Sequence, residues 1–313
     1  MGRWSFAERV VQWGVGHSLA RRELLRRADD NVLAFLGAVL PRVEGLTELR
    51  DPEAFVEFLR GCVDRQRHQV VESKRAPEAA SQPSLRFSTL LDTLREGTLP
   101  VPFAVATTLA HIADGYRKIS VPFGNARWAA DAGMLFEISS SLARKGRVLW
   151  NIVRVARCSR ALELGTAYGM SGLFMLESMR DTQGGGHLTT VEIAEPQFSL
   201  AAKTLQGRFG DAVTCVKGST DEVLPEVAKR AAPIDLLFHD ASHSRVAYER
   251  DFAAVVDHLA PGALVIFDDI RWEDPRFHTG PADTHAGWSS VVAHSRIVRA
   301  AEIDASIGLA LVA

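Results

Sequence analysis

The sequence predicts a doubly wound α/β fold: a mostly parallel sheet that closes on a C-terminal antiparallel hairpin, with a helical region before it. Three observations predict it. From about Arg160, short β-rich runs alternate with helical stretches. The first of those runs opens into a glycine-rich turn. The closing segment, RIVRAAEIDASIGLALVA, breaks the alternation and reads as two strands around a tight turn at Asp304-Ala305-Ser306.

The N-terminal part, residues 1–115, reads as a helical accessory region. Asp51-Pro52-Glu53 starts a helix, with Asp as cap, Pro in the first turn and an acid near the positive dipole end. Phe55, Phe58, Leu59, Cys62 and Val63 then fall on one apolar face. Asp30 or Asn31 caps a second helix through Val32, Phe35, Leu36 and Val39, which Pro41 ends. Together with Trp4 and Trp13 these faces suit a lid or a dimer contact, so a homodimer is expected. The polar, Pro-rich stretch 73–84 reads as a linker.

Residues 116–313 form the expected main domain. Its strands are 160–164, 187–193, 212–217, 234–239 and 263–267, followed by the closing hairpin. Its helices lie near 170–180, 196–207, 221–231 and 245–259. Strands that are apolar throughout argue for a sheet covered on both faces.

Composition excludes several classes. The chain has 313 residues, 47% hydrophobic and 24% charged, which rules out wholesale disorder. Its net charge of −2 gives no general attraction to nucleic acid, and no Asn/Asp-Pro-Pro-Tyr motif for a flipped base occurs. Cys62, Cys158 and Cys215 form no CxxC pair and read as free thiols in a reducing compartment. No apolar run approaches a membrane span, and the N-terminus lacks a signal-peptide core. A cytoplasmic protein acting on a small molecule, without nucleic acid or membrane as partner, is the expectation.

The segment ALELGTAYGMSG spaces its glycines as Gly165-xxx-Gly169-xx-Gly172, with Glu163 two residues earlier. This is neither GxGxxG nor a P-loop. Taken alone, such glycines serve a turn as readily as a ligand. Glu163, and Glu192 at the end of the second strand, taken alone read equally as surface acids. Asp240 ends the fourth strand, and Asp268-Asp269 end the fifth. Neighbouring parallel strands would bring the three acids together, and their repulsion calls for a cation. Oxygen ligands favour Mg²⁺, Mn²⁺ or Ca²⁺. A solvated strand end would explain the Asp pair equally well.

The ExGxxxG turn resembles motif I of the class I S-adenosylmethionine (SAM)-dependent methyltransferases, which have a Rossmann-like fold. The resemblance covers residues ~120 to 313. It implies that the turn, with Glu163, Gly165, Thr166, Ala167, Gly169 and Ser171, wraps the amino-acid and sulfur end of SAM. Glu192 then matches the acid for the ribose hydroxyls. Lys217-Gly218-Ser219-Thr220-Asp221 resembles the adenine-proximal loop, which implies Ser219 and Thr220 beside the base, and Asp240 borders the cofactor too.

FDDIRW, residues 267–272, resembles the strand-five segment of catechol-type and caffeoyl-CoA-type metal-dependent O-methyltransferases, with Asp269 in place of their Asn. The Asp-x-x-His of Asp240 and His243, with the Asp-Asp pair, is closer to bacterial sugar and macrolide enzymes of the macrocin type. That resemblance implies Mg²⁺ or another divalent ion on Asp240, Asp268 and Asp269. It also implies His243, with Asp240, as the catalytic pair, the imidazole taking the acceptor proton. A diol, sugar or catechol that chelates the ion is the expected acceptor, in specialised metabolism.

Other assignments stay open. His239 reads as packing within the sheet or touching substrate. A zinc site from His239, His243, His278 and His285 has no recognised ligand spacing. Arg271, Trp272, His278 and His285 either border the acceptor or sit in a surface loop. Residues 121–138, with Phe123, Trp128 and Phe136, either cover the site or belong to the core. The alternatives to metal-assisted O-methylation are a metal-independent N- or C-methyltransferase of the same fold and a non-catalytic SAM-binding protein.

Overall fold

The computed structural model describes residues 67–74, 81–98, 145–195, 197–271 and 283–313. The chain divides into two compact units, 1–66 with 99–148 and 67–98 with 149–313. The second unit carries the sheet. Trp4, Trp13, the helices expected near 30–39 and 51–63, Cys62, the segment 121–138, Trp272 and His278 lie outside the described residues.

In chain order the elements are β1 (Val70–Lys74), α1 (Gln82–Glu96), β2 (Arg160–Leu164), α2 (Met170–Gln183), β3 (His187–Glu192), α3 (Gln197–Phe209) and β4 (Val213–Lys217). There follow α4 (Thr220–Ala231), β5 (Ile234–His239), α5 (Arg245–Val255), β6 (Leu259–Phe267), α6 (Thr284–Ala293), β7 (Ile297–Ile303) and β8 (Ile307–Val312). The eight strands form one sheet in the order β1-β7-β8-β6-β5-β2-β3-β4. From β4 to β6 the pairs are parallel. Pairs involving β8, β7 and β1 are antiparallel. Strand order reverses between β2 and β5, which opens a crevice at their carboxyl ends.

Central strands bury both faces, as their continuous apolar runs require. Leu162, Leu164, Leu237, Val265 and Phe267 pack with Tyr248, Phe252, Trp288 and Val291 in one core cluster. Helix ends follow local chemistry. Ser244 caps α5 by accepting from the Ala247 N–H at 3.2 Å. Asp221 and Glu222 open α4, and Lys229 and Arg230 close it, matching the helix dipole. Helix α5 stops at Val255, short of the expected residue 259, because a 3₁₀ turn over Val256–His258 intervenes. Strand β6 begins earlier than expected, at Leu259, with its register against β5 shifting between Ile234 and Leu236.

Two sequence expectations need correction here. Val70–Lys74 is a strand rather than part of a helical region. It pairs antiparallel with β7, and Arg299 ties it down through Glu72 at 2.5 Å. The Pro-rich stretch read as a linker contains a helix start. Ser81 accepts from the Ser84 N–H at 3.3 Å, and Pro83 falls in the first turn, where its missing N–H costs nothing. Phe87, Leu90, Leu91 and Leu94 then face inward.

Cys158 is buried and Cys215 half-buried, both as free thiols. Burial pushes the Cys215 thiol up to about 11 and the Cys158 thiol higher, so neither is a nucleophile near neutral pH. Among the described residues no helix is long and apolar enough to cross a membrane.

Gly308 shows how tightly the hairpin packs. It lies in β8 between β6 and β7, and a Cβ there would sit 2.7 Å from the Trp288 ring. Both neighbouring strands fix the backbone. Gly308→Ala is therefore expected to cost about 2 kcal/mol by overpacking, read as a lower unfolding midpoint in urea.

Candidate active site

The crevice at the carboxyl ends of β2 and β5 collects most of the residues singled out in the sequence. The glycine turn is drawn against β3, with the Gly165 and Thr166 N–H groups both donating to the Val191 carbonyl, at 3.0 and 3.1 Å. Gly165 sits at φ 90°, and a Cβ built on it would lie 2.6 Å from the Asp240 carbonyl carbon. Only glycine lets β2 turn this close to the end of β5. Gly169, at φ 83°, caps α2.

Glu163 is fully buried beneath this turn. The Ser171 hydroxyl donates to its Oε1, and the Thr190 hydroxyl donates to its Oε2 at 2.6 Å. Thr166 and Thr190 are also joined through their hydroxyls. Burial pushes the Glu163 carboxyl up to about 7; the two hydroxyl bonds oppose that, and the charges of Asp240 and Glu192 add to it.

Glu192 reaches from β3 to the same turn. Its Oε2 accepts from the Ala167 N–H at 2.7 Å, and its Oε1 from the Ala194 N–H at 2.8 Å. The 217–221 loop lies alongside, because the Gly218 N–H donates to the Glu192 carbonyl at 3.0 Å. Ser219 bonds Asp221, and Thr220 accepts from Arg250 at 2.9 Å. Tyr168, inside the turn, carries no obvious signal in the sequence. Burial, aided by Glu192, pushes its phenol up to about 12 and keeps it neutral.

The acidic cluster forms at the ends of β5 and β6. Donor atoms of Asp240, His243 and Asp269 all lie within 4.8 Å of one another. His243 Nε2 stands 3.3 Å from Asp240 Oδ1 and 3.6 Å from Asp269 Oδ2. Burial alone would lower the His243 pKa. The Asp240 bond and the charges of Asp240, Asp269 and Asp268 outweigh it and hold the imidazole above its ordinary value. Asp268 is more deeply buried than its neighbour, and its Oδ1 accepts from the Asp269 N–H at 2.9 Å. Its main-chain carbonyl accepts from the Tyr248 hydroxyl at 2.6 Å. The Asp240 and Asp269 carboxylate oxygens, so close together, are donors of the kind a small divalent cation takes, with the His243 imidazole beside them.

Other histidines go elsewhere. His239 packs within the sheet, stacked on Phe267 at 4.7 Å between ring centroids, with Nε2 3.0 Å from Asp251. His285 and Arg271 both bind Glu302, at 3.0 and 2.7 Å. Burial would raise the Glu302 carboxyl, but these two partners hold it below the usual range. His239, His243 and His285 therefore have separate partners, and the described residues group no zinc set from them. Glu302, Tyr248 and Ser306, whose hydroxyl donates to Asp269, are not among the site residues the sequence suggests. A tyrosine inside a helix and a serine in a hairpin turn carry no motif.

Comparison with known proteins points to the same fold. A family model described as a methyltransferase domain matches residues 162–270. A probable O-methyltransferase of Mycobacterium tuberculosis is 28% identical over 189 residues, 53% of this chain and 77% of that protein. A catechol O-methyltransferase of Niastella koreensis is 26% identical over 143 residues, 45% of this chain and 62% of that protein, just under two thirds of its length. Among solved structures, an O-methyltransferase from Bacillus cereus in complex with S-adenosylhomocysteine (SAH) shares the fold. Its TM-score is 0.50 at 17% identity, over 66% of this chain and 91% of that one. Taken with the sheet order and the glycine turn at its switch point, these matches support a methyltransferase domain of the class I SAM-dependent type over residues 162–270.

Proposed function

We propose that this protein transfers the methyl group of SAM to a hydroxyl of a small molecule, assisted by a divalent cation. The observation that carries the reading is the convergence of Asp240, His243 and Asp269 beside the glycine turn. The similarity to O-methyltransferases, a catechol enzyme among them, supports oxygen as the acceptor.

In this reading the 165–169 turn orients the sulfonium, and Glu192 accepts hydrogen bonds from the vicinal ribose hydroxyls. Ser219 and Thr220 border the adenine. Asp240 and Asp269 would hold the cation, with Asp268 adding charge and fixing the Asp269 amide. A divalent cation there supplies Lewis acidity, which lowers the pKa of an aliphatic or phenolic hydroxyl. His243 Nε2, beside Asp240 and Asp269, would take the hydroxyl proton. An acceptor with two adjacent oxygens, as in a diol, sugar or catechol, fits such a cluster.

Calorimetric titration with SAH, then with Mg²⁺, tests this on wild type and Asp269→Ala. SAH binding in both proteins, with Mg²⁺ binding lost in the variant, is the expected result, and it justifies a screen of diols, sugars and catechols. A second reading rests on the His243 contacts: an imidazole already balanced by two carboxylates can act as a base without metal. SAH binding with no Mg²⁺ signal in any titration selects that metal-independent reading and overturns the first.

A further inference from the structure

The β7–β8 turn makes contacts on two sides. On one side the Ser306 hydroxyl donates to Asp269 Oδ1 at 3.3 Å, and the Ser306 carbonyl accepts from the Ile270 N–H at 2.9 Å. On the other, Asp304 Oδ2 lies 2.7 Å from His68 Nδ1, and Asp304 Oδ1 accepts from the Gln69 N–H at 2.9 Å. The Asp304 N–H returns a bond to the Gln69 carbonyl at 2.8 Å. His68 and Gln69 lead directly into β1, and the His68 side chain is fully buried.

Backbone strain collects at the same place. Asp269, Asp304 and Ala305 all sit in the left-handed region, at φ 52°, 52° and 53°. Each costs a non-glycine residue about 1 kcal/mol and persists only where its surroundings hold it. For Asp304 the holding contacts are those to His68 and Gln69. For Asp269 they are the Asp268 carboxylate and Ser306.

We infer that Ser306 is a positioning residue for Asp269, and that the His68–Asp304 contact latches the turn from which Ser306 acts. The inference deepens the proposed metal-assisted reading and rests on it. Asp269 has two carboxylate oxygens and a side chain that can rotate. Ser306 occupies Oδ1, which leaves Oδ2 turned toward His243. The edge strand built from residues 70–74 thereby connects to the acidic cluster through a single hairpin turn.

Mg²⁺ titration of the full chain saturated with SAH decides the matter. Partners that orient a metal ligand are worth about 10- to 100-fold in affinity. The long 3.3 Å bond sets the expectation for Ser306→Ala at the lower end, about tenfold weaker Mg²⁺ binding. SAH affinity and the unfolding midpoint of the metal-free protein should not change, and Ser306→Thr should restore Mg²⁺ binding. Asp304→Asn, which weakens the latch, should lower Mg²⁺ affinity in the same direction.

Equal Mg²⁺ affinity in wild type and Ser306→Ala would overturn the positioning role while leaving the metal reading intact. Unchanged affinity in Asp304→Asn would overturn the latch. A wild type that binds no cation removes the metal reading, and amide hydrogen exchange in the metal-free protein then decides. Faster exchange at Asp269 and Ile270 in Ser306→Ala would uphold the positioning, and unchanged exchange would overturn it.

Discussion

Gly165→Ala is expected to abolish measurable SAH binding and to destabilise the protein by about 3 kcal/mol or more. Two costs add. A non-glycine residue at φ 90° is strained by about 1–2 kcal/mol. The new methyl would also overlap the Asp240 carbonyl group, which belongs to backbone and has no rotamer to change. Asp240 cannot retreat cheaply, because its N–H is bonded to the Leu164 carbonyl at 2.8 Å. The turn would open, carrying with it the Ala167 amide that Glu192 holds. Gly184→Ala separates the two costs, since φ is 76° there and nothing lies within 4 Å of the added carbon. That variant should lose only the strain, about 1 kcal/mol, and keep SAH binding. Thermal unfolding and SAH calorimetry on both variants measure the difference. Wild-type SAH affinity in Gly165→Ala would remove the turn from the cofactor site.

The second large effect concerns Glu163 and pH. Its folded pKa of about 7 stands above the ordinary carboxylate value of 4.5, and burial is the chief cause. Below pH 4.5 the group is protonated in both folded and unfolded chains and contributes no difference. Between 4.5 and 7 the unfolded chain releases the proton while the folded chain retains it. Stability therefore falls as pH rises through this window, by about 3 kcal/mol in total. Glu163→Gln removes the ionisable group but keeps the shape and an acceptor for Ser171. The variant should gain stability over wild type above pH 7 and match it near pH 4.5. Urea unfolding at a series of pH values reads this directly. Parallel pH dependences in the two proteins would show that the carboxyl titrates in the fold at its ordinary value.

The seven later strands were legible because each is a short run of apolar and β-branched residues, Thr included, and because the first five alternate regularly with helices. Strand β1 was not. VVESK stands outside the strand–helix alternation and sits at a sheet edge where none of its residues is fully buried, so its polar second half matches that of a loop. Helix α1 was hidden for a related reason. Ser81 and Pro83 are both turn formers, and the same residues serve as cap and first turn once Phe87 and Leu90 have a sheet to cover.

At the site, strand ends predicted where Asp240 and Asp269 would meet, since neighbouring parallel strands must bring their termini together. The different surroundings of Asp268 and Asp269 were not predictable. They depend on the left-handed backbone at Asp269 and on a tyrosine twenty residues away in sequence, which bonds the carbonyl before it. The partners of Arg271 and His285 escaped for the same reason: Glu302 reaches both only through the antiparallel return of β7.

Strand β1 also constrains how the chain is made. Glu72 and Arg299, which fasten it to the sheet, are 227 residues apart. On a ribosome, residues 70–74 emerge long before β7 exists, and the parallel strands β2 to β6 are synthesised in between. The early segment stays without its hydrogen-bonding neighbour until synthesis is nearly finished, a long-range closure of the kind that folds slowly. The acidic cluster is completed on the same schedule, since Ser306 and the contacts of His68 with Asp304 arrive with the last turn of the sheet. A nascent chain halted before β7 would carry the whole glycine turn and an unfinished acidic cluster.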